Sequence, residues 1–235
     1  IPSDRIKIAG TGGQSTRETI RLTKLAARQE ADAALVLNPF YYKGQMTPEV
    51  LMHHYHDVAD ASTIPLIIYN MPSNSGLDMS ADTIISIASH PNIIGIKDSD
   101  GDIVKMGKIV RNTGDDFSVM AGSAGFLLPA LASGAKGGIM ALANILPQKC
   151  LEILDTFSAG NLDMARDIQQ AVIPLNTAVT KRWGIPALKA AMDNLGLYGG
   201  PVRRPLMPLD DKKKTALLKL LDNFNRAQSE ASKRA

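Results

Sequence analysis

The sequence predicts a parallel α/β fold that gives way to a layer of helices, and three observations predict it. Short aliphatic runs recur along the first two thirds of the chain: Ile6–Ala9, Ala33–Leu37, Leu66–Tyr69, Ile93–Ile96, Phe117–Ala121 and Gly137–Ala141. Each has the continuous apolar character of a strand buried on both faces. Their starts lie roughly 20 to 33 residues apart, the length of a βα unit, and sequential parallel strands need such crossovers. From about Pro147 onward the strand signal stops and helical periodicity replaces it.

The elements follow in order. Between the strand-like runs lie amphipathic stretches with helix-start signals. Ser15-Thr16-Arg17-Glu18 has the layout of a capping box, Thr47-Pro48 puts a cap before a proline at the first helical position, and Ser80 precedes Ala81–Ser89. The C-terminal part reads as four helices, Gln148–Phe157, Leu162–Ile173, Ile185–Leu195 and Lys212–Phe224, punctuated by Pro174, Gly184, Gly196 and Gly199-Gly200-Pro201. Residues Ser229–Ala235 are small and polar and are expected to fray. The expected division is residues 1–145 and 146–235 within a single domain, since no low-complexity linker separates them.

Composition excludes several classes. With 235 residues, 45% hydrophobic and 21% charged, the chain buries a sizeable core and is neither disordered nor fibrous. No run approaches the roughly 18 apolar residues of a membrane-spanning helix, and Ile1 to Arg5 lack a signal-peptide layout. The lone Cys150 cannot close an internal disulfide, which fits a reducing compartment. A net charge of +3, scattered basic residues and 5% aromatic content leave no nucleic-acid footprint. The expectation is an intracellular protein, of cytoplasm or mitochondrial matrix, that binds neither membrane nor nucleic acid and takes a small anionic substrate.

Six strands fit either an open doubly wound sheet or a (β/α)8 barrel. For the first, Gly10-Thr11-Gly12-Gly13 sits where a nucleotide loop would, but it is not G-x-G-x-x-G and lacks a P-loop lysine, so a tight βα turn accounts for it better. For the second, chemistry comes from side chains at the C-terminal ends of several strands. Two such ends stand out. A period of two puts Ile93, Gly95 and Lys97 on one face, with Lys97 ending the strand where Gly95 leaves room. Only a neutral amine attacks a carbonyl, so a nucleophilic lysine needs an enclosed setting that disfavours its charged form. The competing reading is a lysine that snorkels past the strand end or pairs with Asp98. The preceding strand ends in Tyr69, whose phenol could relay a proton to a substrate held by the lysine, or could be a core-rim tyrosine.

Other candidates divide similarly. Asp98-Ser99-Asp100-Gly101-Asp102 lacks the twelfth-position glutamate of a calcium loop, so no metal is expected there. Ser99 is either a donor to a substrate carboxylate or a helix cap, with Asp102 competing for the cap. His53, His54 and His56 share a helix without further ligands at helical spacing and are read as surface or interface residues. Gly122-Ser123-Ala124-Gly125, after the fifth strand, lets a carboxylate approach the backbone or forms a turn.

Three strings carry a family resemblance. Ile68-Tyr69-Asn70-Met71-Pro72 with Gly76, Gly95-Ile96-Lys97-Asp98-Ser99 and Ala121-Gly122-Ser123 resemble the dihydrodipicolinate synthase and N-acetylneuraminate lyase family of class I aldolases. Asn38–Gly44, Ala121–Phe126, Ala141–Asn144 and Leu197–Pro201 look most like the 4-hydroxy-2-oxoglutarate aldolases within it, and the similarity runs from Ile6 to about Leu209. The resemblance implies a (β/α)8 TIM barrel with a C-terminal helical extension, of which residues 1–145 are units three to eight and the first two βα units are missing from this chain. It implies a homotetramer, a dimer of dimers, and a covalent imine on Lys97 with no metal or organic cofactor. Tyr69 matches the proton relay, Tyr41 a tyrosine passed to a neighbouring subunit's site, and Ser99 and Gly122 substrate contacts. Asn74 stands where the synthases carry an arginine, and a neutral amide cannot make that charged bidentate grip. The implied reaction cleaves 4-hydroxy-2-oxoglutarate to pyruvate and glyoxylate. Sialic acid, 2-keto-3-deoxy sugar acid and dihydrodipicolinate chemistry share the same imine, and a non-catalytic paralogue is the contrasting expectation.

Overall fold

The computed structural model describes residues 4–232. Residues 1–3 of the N-terminal segment and 233–235 of the tail lie outside the described residues. Six parallel strands form one sheet: β1 (Ile8–Gly10), β2 (Ala33–Leu37), β3 (Leu66–Asn70), β4 (Ile93–Asp98), β5 (Ser118–Ala121) and β6 (Gly137–Gly138). Their spatial order is β1-β2-β3-β4-β5-β6. A doubly wound sheet reverses direction at a switch point, so a strictly sequential order overturns that alternative and leaves the succession of a βα barrel. The described sheet has two edges, β1 and β6.

The edges are where the sequence-based strand limits needed correction. Ile6 is exposed, and β1 begins only at Ile8, itself 40% exposed, because β1 pairs on one side alone. The run expected over Gly137–Ala141 keeps just two paired residues, and Ala141–Asn144 turns into a short 3₁₀ helix. The interior strands match expectation: Val36, Leu66, Ile68 and Ile96 are completely buried, as strands covered on both faces require.

Helices α1 (Thr16–Arg28), α2 (Pro48–Asp60), α3 (Pro72–Ser75), α4 (Ala81–Ile87) and α5 (Ile103–Asn112) alternate with the strands. The expected caps hold. Ser15, Thr47 and Ser80 each accept a hydrogen bond from the backbone N–H three residues on, and Pro48 occupies the first helical position. Gly10–Gly13 is a tight βα turn: Thr11 N donates to Leu35 O and Gly13 N to Thr19 Oγ1, so these donors are spent inside the fold rather than offered to phosphate. Tyr55, Val58, Ile84, Ile87, Met106 and Ile109 supply the buried helix faces.

The chain divides into two compact units, one running to Gly122 with Pro129–Gly138, the other comprising Ser123–Leu128 and the chain from Ile139. The second is helical: α6 (Leu127–Ala132) begins in it, followed by α7 (Pro147–Ser158), α8 (Leu162–Thr177), α9 (Gly184–Asn194) and α10 (Asp211–Ser232). Helix α7 packs on α8, and α10 packs on α8 and α9, with Ile153, Val172, Ala187, Ala191 and Leu217 fully buried. Pro174 does not end its helix as expected. Helix α8 runs through it and passes into a wide π-type turn over Ala178–Arg182, a geometry that accommodates a disturbed backbone ladder. Helix also persists through residues 229–232, where fraying was expected. Among the described residues no helix is long and apolar enough to cross a membrane.

Candidate active site

The parallel register assembles two rows at the C-terminal ends of the strands. Leu37, Tyr69, Lys97 and Met120 lie side by side on β2, β3, β4 and β5. One residue further on, Asn70, Asp98 and Ala121 form the next row, which the pleat turns to the opposite face.

In the first row Tyr69 and Lys97 are half-buried, and Lys97 Nζ sits 4.2 Å from the centroid of the Tyr69 ring. An aromatic face holds a cationic or partly desolvated amine by its quadrupole without supplying a counter-charge. Among the described residues Lys97 has no carboxylate partner, and Asp98 pairs with Lys105 instead. One expectation fails here. Gly95 does not make room for Lys97; its missing Cβ admits the Ser118 carbonyl of β5.

Ser99 follows directly. Its N–H donates to Asn70 O at 2.9 Å, its hydroxyl is buried against Gly122 and makes no hydrogen bond, and Asp102 takes the cap of α5 by accepting from Lys105 N. Gly122 ends β5 against this turn. Its N–H donates to Asp98 O at 2.7 Å, and a Cβ there would strike the Ser99 hydroxyl. Lys97, Tyr69, Ser99 and Gly122 therefore gather at neighbouring strand ends.

Tyr41 does not join them through this chain. It is 75% exposed and meets Tyr42 edge-on at 5.0 Å, while Gln14 Oε1 accepts from both Phe40 N and Tyr41 N and holds the loop in place. Further along, Ser123 Oγ accepts from Gly125 N and from Asn176 Nδ2, so this turn is closed on itself. Of the histidines His53 is exposed beside Glu49, as expected, whereas His54 is buried with Nδ1 meeting Thr16 Oγ1, and His56 lies against Ile87 O. A cavity of about 310 Å³ between the starts of α1 and α2 is lined by Gln14, Thr16, His53 and His54 among others, and contains none of the predicted site residues. His54 Nε2 is sealed from it.

Sequence reading missed the cluster behind the site. Asp98 is completely buried. Asn70 Nδ2 donates to Asp98 Oδ1 at 3.1 Å and to Asp78 Oδ1 at 2.7 Å. The buried Lys105 ammonium lies 2.8 Å from Asp78, 3.1 Å from Asp100 and 3.3 Å from Asp98. Burial pushes the Asp98 carboxyl above its ordinary range, against the opposing pull of Asp100 N–H and Lys105. Burial alone would lower Lys105, but the hydrogen bond to Asp78 and the charges of Asp98 and Asp100 outweigh it and hold the ammonium above its usual value. The period-two pattern put Asp98 on the far face; nothing in it announced Asp78 or Lys105 as partners.

A sequential parallel sheet with an amine and a phenol side by side at adjacent strand ends has the layout of a βα-barrel enzyme, whose chemistry comes from strand ends. Comparison with known proteins narrows the class. The model of the dihydrodipicolinate synthetase family matches residues 2–224, and the chain belongs to that family. It is 40% identical over 211 residues to a probable mitochondrial 4-hydroxy-2-oxoglutarate aldolase of Emericella nidulans, covering 89% of this chain and 68% of that protein. It is 37% identical to the 4-hydroxy-tetrahydrodipicolinate synthase of Methanoculleus marisnigri, with 92% and 74% covered. Among solved structures, a dihydrodipicolinate synthase from Bacillus anthracis superposes with a TM-score of 0.89 at 31% identity, covering 94% of this chain and 75% of the other. The Aquifex aeolicus synthase gives 0.88 at 34%, with 95% and 76% covered. The chain is thus an enzyme of a lyase and synthase family whose members work through a covalent lysine imine and no external cofactor.

Proposed function

We propose that this protein is a class I aldolase that cleaves 4-hydroxy-2-oxoglutarate to pyruvate and glyoxylate. The observation that carries the reading is the Lys97 amine lying over the Tyr69 ring with no carboxylate to neutralise it. Lys97 attacks the C2 ketone and water leaves, giving an iminium. The C3–C4 bond breaks, its electron pair moves into the iminium to form an enamine as glyoxylate departs, and Tyr69 relays the C4 hydroxyl proton, its phenol oxygen accepting that proton as it passes its own towards C3. Protonation of the enamine at C3 and hydrolysis return pyruvate and the free amine. Ser99 and Gly122, packed together just past Lys97 and β5, are the residues assigned to the substrate.

The 40% identity to a probable hydroxyoxoglutarate aldolase, and Asn74 at the position where synthases of the family carry an arginine, support this substrate over dihydrodipicolinate chemistry. Other relatives, 34 to 37% identical, are synthases, which favours condensation of pyruvate with a different aldehyde as the second reading. In this reading residues 1–145 are units three to eight of a TIM barrel, residues 146–235 extend it, and the intracellular assembly is a homotetramer. Tyr41, protruding on a loop braced by Gln14, reaches the neighbouring subunit's site.

Borohydride reduction in the presence of pyruvate, followed by peptide mass analysis, tests the mechanism, and a coupled assay for glyoxylate tests the substrate. An adduct on Lys97 with glyoxylate release is the expected result. No adduct in the folded protein sinks the imine, and an adduct without glyoxylate release assigns the imine to another aldehyde.

A further inference from the structure

Each of the two reactive side chains is followed in the chain by a residue of the buried cluster: Tyr69 by Asn70, Lys97 by Asp98. The Asn70↔Asp98 pair lies one step beyond Tyr69↔Lys97 in the ladder and is its last position. Past it one more backbone hydrogen bond, from Ser99 N to Asn70 O at 2.9 Å, joins the strands before they part into separate loops. The Asn70 Nδ2 bond to Asp98 Oδ1 crosses the two strands at that point. Asn70 Oδ1 accepts from Met79 N and its amide also reaches Asp78, while Asp98 Oδ1 accepts from Asp100 N. Lys105, 7% exposed at its side chain, then gathers Asp78 from the loop before α4 and Asp98 and Asp100 from the end of β4 around one ammonium.

We infer that Asn70 and Lys105, acting through Asp98, are positioning residues that hold the Tyr69 phenol at the separation from the Lys97 imine that proton transfer to and from the bound substrate requires. The inference rests on the imine reading of Lys97 above and deepens it. Asp98 and Lys105 are the desolvated members, Asp78 and Asp100 staying partly exposed; burying such a pair offsets much of its attraction, whereas fixing register is the best-attested use of buried charge. Successive residues of a strand are coupled through the pleat, so holding Asn70 to Asp98 on one face holds Tyr69 to Lys97 on the other. Small misplacements of reacting groups carry large rate penalties.

The test separates imine formation from proton transfer. Wild type, Asn70→Ala, Asn70→Ser, Lys105→Met and Lys105→Arg are compared by borohydride trapping of pyruvate on Lys97, by deuterium exchange into the pyruvate methyl group followed by NMR, and by steady-state cleavage. For Asn70→Ala and Lys105→Met, trapping stays within about twofold of wild type, while methyl exchange and kcat fall about tenfold or more at unchanged KM. Lys105→Arg, which keeps the charge, recovers most of the loss. Asn70→Ser keeps a polar group in the site but is too short to reach Asp98, and it carries the test where Asn70→Ala does not fold. Exchange that falls only in step with trapping or with the folded fraction, or that stays at the wild-type rate in both the Asn70 and Lys105→Met variants, overturns the inference. Absence of a Lys97 adduct in wild type would instead defeat the reading beneath it.

Discussion

Replacing Gly122 with alanine probes the closest approach in the candidate site. An added Cβ would lie 2.8 Å from both Asp98 O and Ser99 Cα and would overlap the Ser99 hydroxyl. Two of these three atoms are backbone, held by the hydrogen bond from Gly122 N to Asp98 O and by that from Ser99 N to Asn70 O, so the strain cannot be relieved by rotating a side chain. Overpacking of this kind costs about 1–3 kcal/mol. A chain of this length loses about 2–4 °C in thermal midpoint per kcal/mol, so the midpoint should fall by roughly 2 to 12 °C. Because the displaced group is the proposed substrate contact, KM for the oxo acid should rise about tenfold, the worth of one lost hydrogen bond to a charged group. Differential scanning fluorimetry and initial-rate kinetics on the same preparation read both effects. An unchanged midpoint together with an unchanged KM would refute the claim that β5 packs against the Ser99 turn this tightly.

Further predictions concern buried groups. Burial lowers the His54 imidazole to about 4, against a smaller opposing effect of Asp57, so the folded protein binds a proton there more weakly than the unfolded chain does. Stability from this site is complete above the unfolded value of 6.5 and is lost as pH falls from 6.5 towards 4, by about 3 kcal/mol at most; in His54→Asn the midpoint-against-pH curve should flatten across that window. Burial also pushes the Cys150 thiol up to about 11, so iodoacetamide at neutral pH should label it only after denaturation, as mass analysis would record. The fully buried Tyr55 donates its hydroxyl to Val36 O at 2.9 Å. Tyr55→Phe removes that buried hydrogen bond and should cost about 1 kcal/mol in urea unfolding, with little change in slope.

The sequence by itself determined the local grammar. Apolar runs over Ala33–Leu37, Leu66–Tyr69 and Ile93–Ile96 became the central strands, and Ser15, Thr47 and Ser80 became caps, because both depend on spacings of two to four residues along the chain. Period-two alternation also placed Lys97 and Asp98 on opposite faces. Where the outcome depended on neighbours distant in the chain, local pattern was silent. Ile6 and Ala141 fell outside strands because pairing gives out at the sheet edges, and α8 ran through Pro174 because a wide turn followed. The choice between doubly wound sheet and barrel succession was made by strand order alone. The tertiary structure alone brought Asp78 and Lys105 to Asp98 across 20 and 7 residues of chain, since a buried charge takes whatever partner the fold carries to it, and composition records the charges but not which ones will share a dry space.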